Sequence, residues 1–273
     1  MSVIASVTQF SGRKRSTADR GAFRPDSYVT HKAAMSASSS PNSTGRAPRR
    51  GRPLAALVPL ADALGDAVPQ LPDERSDRVR RAVRARTLAV RRGRWDAVAD
   101  ARESGGLGFV VLHGTLLCRV VAGHREGAEL LGPGDLIQPG HADSDPVSWR
   151  AVTDATLAVV DARVLQEAGA APELIAGLLT AAASRTNTVA RQVVVAQWSS
   201  VDDRIVATLE MLADRWGVVT PEGYALPEYL THALIAPLVG ARRPSVTTAL
   251  KRLGEAGTVR RATDGRWIVA RAA

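Results

Sequence analysis

The stretch from Leu226 to Leu253 constrains this chain most, because two short apolar helices meet there about one glycine. The first starts at Leu230 or Thr231 and turns Leu234, Ile235 and Leu238 to a core, and Gly240 permits a left-handed turn that a β-carbon resists. Arg242 and Arg243 then precede Pro244, whose missing N–H loses nothing in a helix's first turn. In the second helix Val246, Leu250 and Leu253 recur at i, i+4 and i+7 and face inward. Arg243, Ser245, Thr247, Thr248, Lys251 and Arg252 are left outside. A helix with such a positive, hydrogen-bonding face can lie in the major groove, where arginine forks onto guanine and hydroxyls adapt to several base edges. Arg242 and Lys251 are better placed for phosphates.

Beyond it, Val259 and Arg260, a turn at Asp264-Gly265, and Trp267 to Val269 read as a two-stranded hairpin of wing type. Arg260, Arg261 and Arg266 are then within reach of a nucleic-acid backbone. The bland alternative is a solvated basic helical hairpin. Helix, glycine turn, proline-started basic helix and hairpin in succession are more specific than any one of them.

Charge supports a polyanionic partner and locates it. Of the net +9, residues 1–52 contribute +8, 53–225 contribute −4 and 226–273 contribute +5. Residues 1–52 are rich in Ser, Arg, Thr, Pro and Ala without apolar periodicity, and read as a disordered basic tail in which Met35 is an alternative start. A single cysteine, Cys118, excludes an intrachain disulfide and a four-thiolate metal or cluster site, and reads as a small buried apolar residue. With no long apolar run and no hydrophobic signal core, the expected location is the cytoplasm, at the nucleoid, with no membrane contact.

Residues 53–104 are rich in Ala, Leu and Arg, and Val79, Ala82, Val83 and Arg86 follow helical spacing after Pro72-Asp73, so one or two helices are expected. From Leu107 the pattern changes to short β-prone runs at 108–112, 116–121, 128–131, 136–137, 147–152 and 157–160, the spacing of a small β-roll or jelly-roll barrel. Gly132-Pro133-Gly134-Asp135 is a turn sequence. After Pro172 one stripe of Leu174, Leu178, Ala181, Ala182, Val189, Val193 and Ala196 predicts a long helix to about Trp198, lying on its own barrel or, preferably, pairing with a second copy. A further helix, Val201 to Trp216, turns Ile205, Leu209 and Leu212 inward and stops at Gly217, read as its C-cap.

These motifs together resemble the CRP/FNR group of bacterial regulators over residues 73–270. Gly132 to Asp135 resembles the turn of the cyclic-nucleotide-binding barrel, Trp149 to Asp154 its closing strands, 201–217 the helix after the dimer helix, and Leu238 to Val246 the reading motif. The resemblance implies an α+β chain with a β-roll sensor at 53–171, a dimerisation helix at 172–199 and a winged helix-turn-helix at 200–273. It implies a sequence-specific, homodimeric transcription regulator that binds double-stranded DNA, signals to RNA polymerase and is not an enzyme. Arg243, Pro244 and Thr248 stand where the best-known members place an Arg, a Glu and a second Arg on bases, so only the first is kept.

The family's ligand cassette carries Gly-Glu for ribose and Arg-Ser for the cyclic phosphate. Here Gln138-Pro139 and Asp145-Pro146 hold those places, and Val189 and Ala190 fall where adenine would be read. No cyclic nucleotide, cofactor or metal is therefore expected; His113, His124 and His141 lack the His-x-His arrangement of a barrel metal enzyme. Two alternatives stay open: a barrel-type sensor or enzyme using its C-terminal module for protein contacts, and a nonspecific architectural DNA-binding protein.

Overall fold

A computed structural model describes residues 47–123, 125–140 and 147–270. Most of the expected tail, and with it His124, His141, Asp145 and Pro146, lies outside them. The first part of the chain runs β1 (Arg52–Pro59), α1 (Leu60–Leu64), α2 (Asp73–Ala82), β2 (Arg84–Val90), β3 (Gly93–Trp95) and α3 (Ala97–Ser104). Then come β4 (Gly106–His113), β5 (Leu116–Ala122), β6 (Arg125–Leu131), β7 (Leu136–Ile137), β8 (Val147–Ala151) and β9 (Ala155–Asp161). These strands form two antiparallel sheets, β1-β2-β9-β4-β7 and β3-β8-β5-β6, which face each other without closing into the barrel the spacing suggested. The helices α4 (Ala162–Ala168), α5 (Pro172–Ala196) and α6 (Val201–Trp216) follow.

The continuous apolar run Phe109-Val110-Val111 in β4 reflects a sheet covered on both faces. Phe109 and Val111 enter the core between the sheets, with Trp95, Cys118 and Trp149 from the opposite side. Val110 points the other way, into a core built with Leu60, Leu64, Val164 and Leu174 of the helices. Burial, and secondarily the nearby Glu129, push the Cys118 thiol up to about 11, so it stays protonated and packs as a small apolar group.

The N-terminal third departs most from expectation. Helical spacing holds only through α2; Arg86 sits in β2, and Leu54 to Val58, inside the stretch expected to hold one or two helices, pair with β2 instead. Residues 47–52, expected within the tail, are fastened to the sheets. Arg49 N–H donates to the Arg94 carbonyl at 2.9 Å, and Arg50 pairs with Asp100 and Glu103. Buried Asp100 also accepts from Gly51 N at 2.5 Å and from Trp95 Nε1 at 2.7 Å. A β-carbon on Gly51 would lie 2.7 Å from the Leu88 side chain, so this crossing needs glycine.

The C-terminal module consists of α6, β10 (Val218–Thr220), β11 (Gly223–Ala225), α7 (His232–Leu238), α8 (Arg243–Glu255), β12 (Val259–Arg261) and β13 (Trp267–Val269). It has no separate core. Ile205, Leu209, Ile235, Val246 and Leu250 pack in one cluster with Leu117, Leu130 and Val152 from the outer face of the second sheet. At the edge of this contact Arg215 donates to Asp135 Oδ2 at 2.5 Å and to the Leu130 carbonyl at 3.3 Å. The Trp216 ring lies against Gly132, where a β-carbon would come within 2.7 Å of it. Thr115 Oγ1 and the Tyr229 hydroxyl meet at 3.0 Å. The Gly132 to Asp135 turn therefore serves as the seat of α6. Gly217 ends α6 with extended rather than left-handed dihedrals; it is glycine because a β-carbon would meet the Ala213 carbonyl oxygen at 2.5 Å.

Leu130→Ala is expected to cost about 2–5 kcal/mol, the range for emptying a close-packed leucine site. Because one core joins sheet and module, urea unfolding followed by far-ultraviolet circular dichroism and by tryptophan fluorescence should give coincident transitions in wild type and variant alike.

Candidate nucleic-acid interface

Thr231 caps α7 through its hydroxyl, which accepts from Leu234 N at 3.3 Å. The chain then turns at Gly240, whose φ of +59° is the left-handed value anticipated, and α8 opens on Arg243 with Pro244 in its first turn. Val246, Ala249, Leu250 and Leu253 are buried, so the opposite face of α8 is fixed outward. Arg242, Arg243, Pro244, Ser245, Thr247, Thr248, Lys251 and Arg252 are all exposed on it or at its start. The expected hairpin is present as β12 and β13, and β10 and β11, too short to stand out in the sequence, extend it to a four-stranded sheet.

The cations on this surface are not equivalent. Arg252 forks onto Asp202 of α6, Nε to Oδ2 at 2.9 Å and Nη2 to Oδ1 at 2.5 Å, which ties α8 to α6 and makes it a fastening residue in the free protein. Arg260 pairs with Glu222, and Arg266 with Asp264 at 2.6 Å. Lys251 is only loosely held, 3.9 Å from Glu255 one turn on. Arg242 and Arg243 have no carboxylate partner among the described residues, so the uncompensated charge concentrates where α8 begins. The Arg261 guanidinium lies over the Trp267 ring, 4.8 Å from its centre. Thr247 and Thr248 return their hydroxyl protons to the carbonyls of Arg243 and Pro244, at 3.0 and 3.2 Å, and keep their oxygens outward as acceptors.

Three positioning residues gave no signal in the sequence, since their partners lie far along the chain. Asp202 is one. Arg204 is the second: from α6 its Nη1 donates to the Val239 carbonyl at 2.9 Å and reaches the Gly240 carbonyl at 3.4 Å, holding the turn between α7 and α8. His232 is the third, with Nδ1 3.0 Å from Thr247 Oγ1 and its ring against Trp267, centroids 5.5 Å apart.

The expected single stripe on α5 is in fact two. Leu174, Gly177, Leu178 and Ala181 are buried against the chain's own helices and sheet. One turn on, Arg185 reaches inward to pair with buried Glu129 of β6 at 3.0 Å. Ala182, Val189, Val193 and Ala196 belong instead to an outward row that also takes in Leu179 and Thr186, with alternating steps of three and four. In that row Leu179 is 67%, Val189 39% and Val193 54% exposed. No helix among the described residues is long and apolar enough to cross a membrane, and no His, Cys, Asp and Glu group among them is arranged to hold a metal ion.

Arg252 holds the Asp202 carboxyl below its usual range, so the pair's stabilisation is present above the unfolded carboxyl's value and is lost as pH falls through the depressed folded one. Asp202→Asn should cost about 0.5–1 kcal/mol at neutral pH, the pair being partly exposed. In urea melts the gap between variant and wild type should narrow as pH falls below the ordinary carboxyl range and through the depressed folded value.

No family model matches the chain, and no curated protein matches it in sequence. Solved structures do match. A mutant of CooA from Carboxydothermus hydrogenoformans superposes with a TM-score of 0.55 at 17% identity, over 68% of this chain and 83% of that one. A cyclic nucleotide-binding domain containing protein from Listeria monocytogenes gives 0.55 at 16%, over 67% and 88%. The c-di-GMP responsive global regulator CLP of Xanthomonas campestris gives 0.52 at 20%, over 69% and 95%. The resemblance carried by the Gly132 turn and the Gly240 reading motif thus extends to the architecture, and the chain has the fold of the CRP/FNR-type transcription regulators.

Proposed function

We propose that the chain is a homodimeric, sequence-specific DNA-binding transcription regulator that works without a cyclic nucleotide. The observation that carries this reading is the start of α8, where Arg242 and Arg243 stand exposed and uncommitted beside outward Ser245, Thr247 and Thr248. In this reading α7 and α8 are the helix-turn-helix and β12–β13 the wing. Arg243 and the hydroxyls meet base edges, while Arg242 and Lys251 hold phosphates. Arg260 and Arg266 act from the wing after exchanging their in-chain carboxylates for phosphates, and Arg252 contributes mainly by holding α8 in place. Transcription is affected by touching RNA polymerase or by blocking it, in the cytoplasm.

Dimerisation is assigned to the outward row of α5. Steps of three and four keep apolar residues on one seam of two supercoiled helices, and Ala182 and Ala196 let the backbones approach. Two protomers joined there present their reading helices to successive major grooves, about 34 Å apart on a pseudo-palindromic site.

Independence from cyclic nucleotides is supported from inside the chain. Gln138, where the resemblance places the ribose carboxylate, is exposed, and Val189 lies on the outward row. Between α5 and the roll the Arg185 guanidinium, the cation that could meet a phosphate there, is already engaged by the Glu129 carboxylate at 3.0 Å. Calorimetry with cAMP or cGMP is expected to show no micromolar binding.

Selection of binding sites from random duplexes should return one shared motif with two-fold symmetry; recovery of duplexes with no common motif would refute sequence-specific reading. On the selected site Arg243→Ala should cost about 1–3 kcal/mol and relax one base position, whereas Lys251→Ala should weaken all duplexes alike and flatten the salt dependence. Val193→Asp should yield monomers by sedimentation and reduce affinity for the two-fold site far more than for a half-site.

A further inference from the structure

We infer that His232 is a further DNA contact, one that takes up a proton at Nε2 when a phosphate comes to it. This rests on the DNA-binding reading above and adds a chemical step to it.

The hydrogen bonds around Thr247 fix the tautomer. Its hydroxyl has one proton, and that proton goes to the Arg243 carbonyl oxygen at 3.0 Å. Toward His232 the Thr247 oxygen is therefore an acceptor, so Nδ1, 3.0 Å away, carries the hydrogen. In the neutral ring Nε2 is then the bare nitrogen, with no partner among the described residues. Contact with Trp267, at 5.5 Å between centroids and 33° between planes, holds the ring in this orientation.

The surroundings decide the charge. α7 carries no other ionisable side chain, and β13, which supplies Trp267, carries none. The charged groups facing the ring are Arg243 at the start of α8 and Arg261 of β12, both positive. Burial first, then Arg261 and Arg243, hold the imidazole below its ordinary range, so in the free protein it is neutral near neutral pH.

A DNA phosphate arriving at this corner reverses the balance, because it faces both arginines and supplies the anion that an imidazolium lacks there. The Nε2 lone pair takes a proton from solvent, the new N–H donates to a phosphate oxygen, and the Nδ1–H bond to Thr247 is untouched. At most one proton is taken up per protomer, so affinity rises as pH falls between the free and bound midpoints, by up to about tenfold per pH unit per protomer.

The test uses the full chain and a mixed-sequence duplex of about 30 base pairs, since a phosphate contact does not depend on sequence. Fluorescence anisotropy at constant ionic strength, from about pH 8 to about pH 6, spans the range in which histidine titrates. Wild type is expected to gain several-fold more affinity over this span than His232→Gln, whose amide can still donate to Thr247 and does not titrate. Parallel pH profiles for the two proteins would overturn the inference. In wild type alone, the imidazole C–H resonance of His232 should titrate with a higher midpoint once duplex is added, and an unmoved midpoint would equally overturn it. Duplex binding that is flat in pH removes the proton step and leaves the DNA-binding reading standing. Failure to bind any duplex at any pH removes both.

Discussion

The structure depends on the second sheet being buried on both faces near its Leu117 and Leu130 row. Along β5, Leu116 and Cys118 turn to the space between the sheets while Leu117 turns out to the C-terminal module. Each burial removes apolar surface from water, and neither face could remain bare without exposing leucines to solvent. Arg215, Trp216 and Tyr229 fix the register of the contact at its rim, where a hydrogen-bonded guanidinium and two aromatic groups tolerate less slippage than aliphatic side chains. The position of α8 is thus inherited, through α6, from the sheet.

Within the module, charge is used in two ways. Asp202 and Arg204 act from α6 on α8 and on the turn before it, so one helix grips both halves of the reading motif. Arg252, Arg260 and Arg266, each paired with a carboxylate, are of limited use for long-range attraction, since their fields are compensated. Arg242 and Arg243 have no such partner among the described residues, and their concentration at one end of α8 gives the surface a direction. A polyanion approaching it would meet the strongest field at the start of α8.

Much of this was legible in the sequence wherever local chemistry and tertiary packing agree. The strands from Gly106 onward lie within a few residues of their apolar runs because glycines and the Pro133-Gly134 turn bound them. Thr231 by its side-chain cap, and Gly240 and Pro244 by backbone preference, mark α7, the turn and the start of α8. The failures have equally physical causes. Leu54 to Val58 have helical composition but are held extended by pairing with β2, a long-range term that propensity does not contain. The α5 stripe read as one face because apolar residues at two adjacent orientations merge in a short periodic pattern; burial separates Ala181, which is buried, from Ala182, which is exposed. Asp202, Arg204 and His232 were invisible because the residues they hold lie 15 to 50 positions away.

The outward row of α5 has one more consequence. In coiled-coil pairs the charged residues flanking the seam decide which helices accept each other. Here the flanking positions are Ala183, Ala190, Gln192 and Arg185, and the only charge among them is drawn inward to Glu129. Were two copies to pair along this row, as proposed, the seam would have adhesion without an address. No flanking charge among the described residues would reject a similar helix, so the fidelity of such a pairing would rest on Thr186, the one polar side chain in the row.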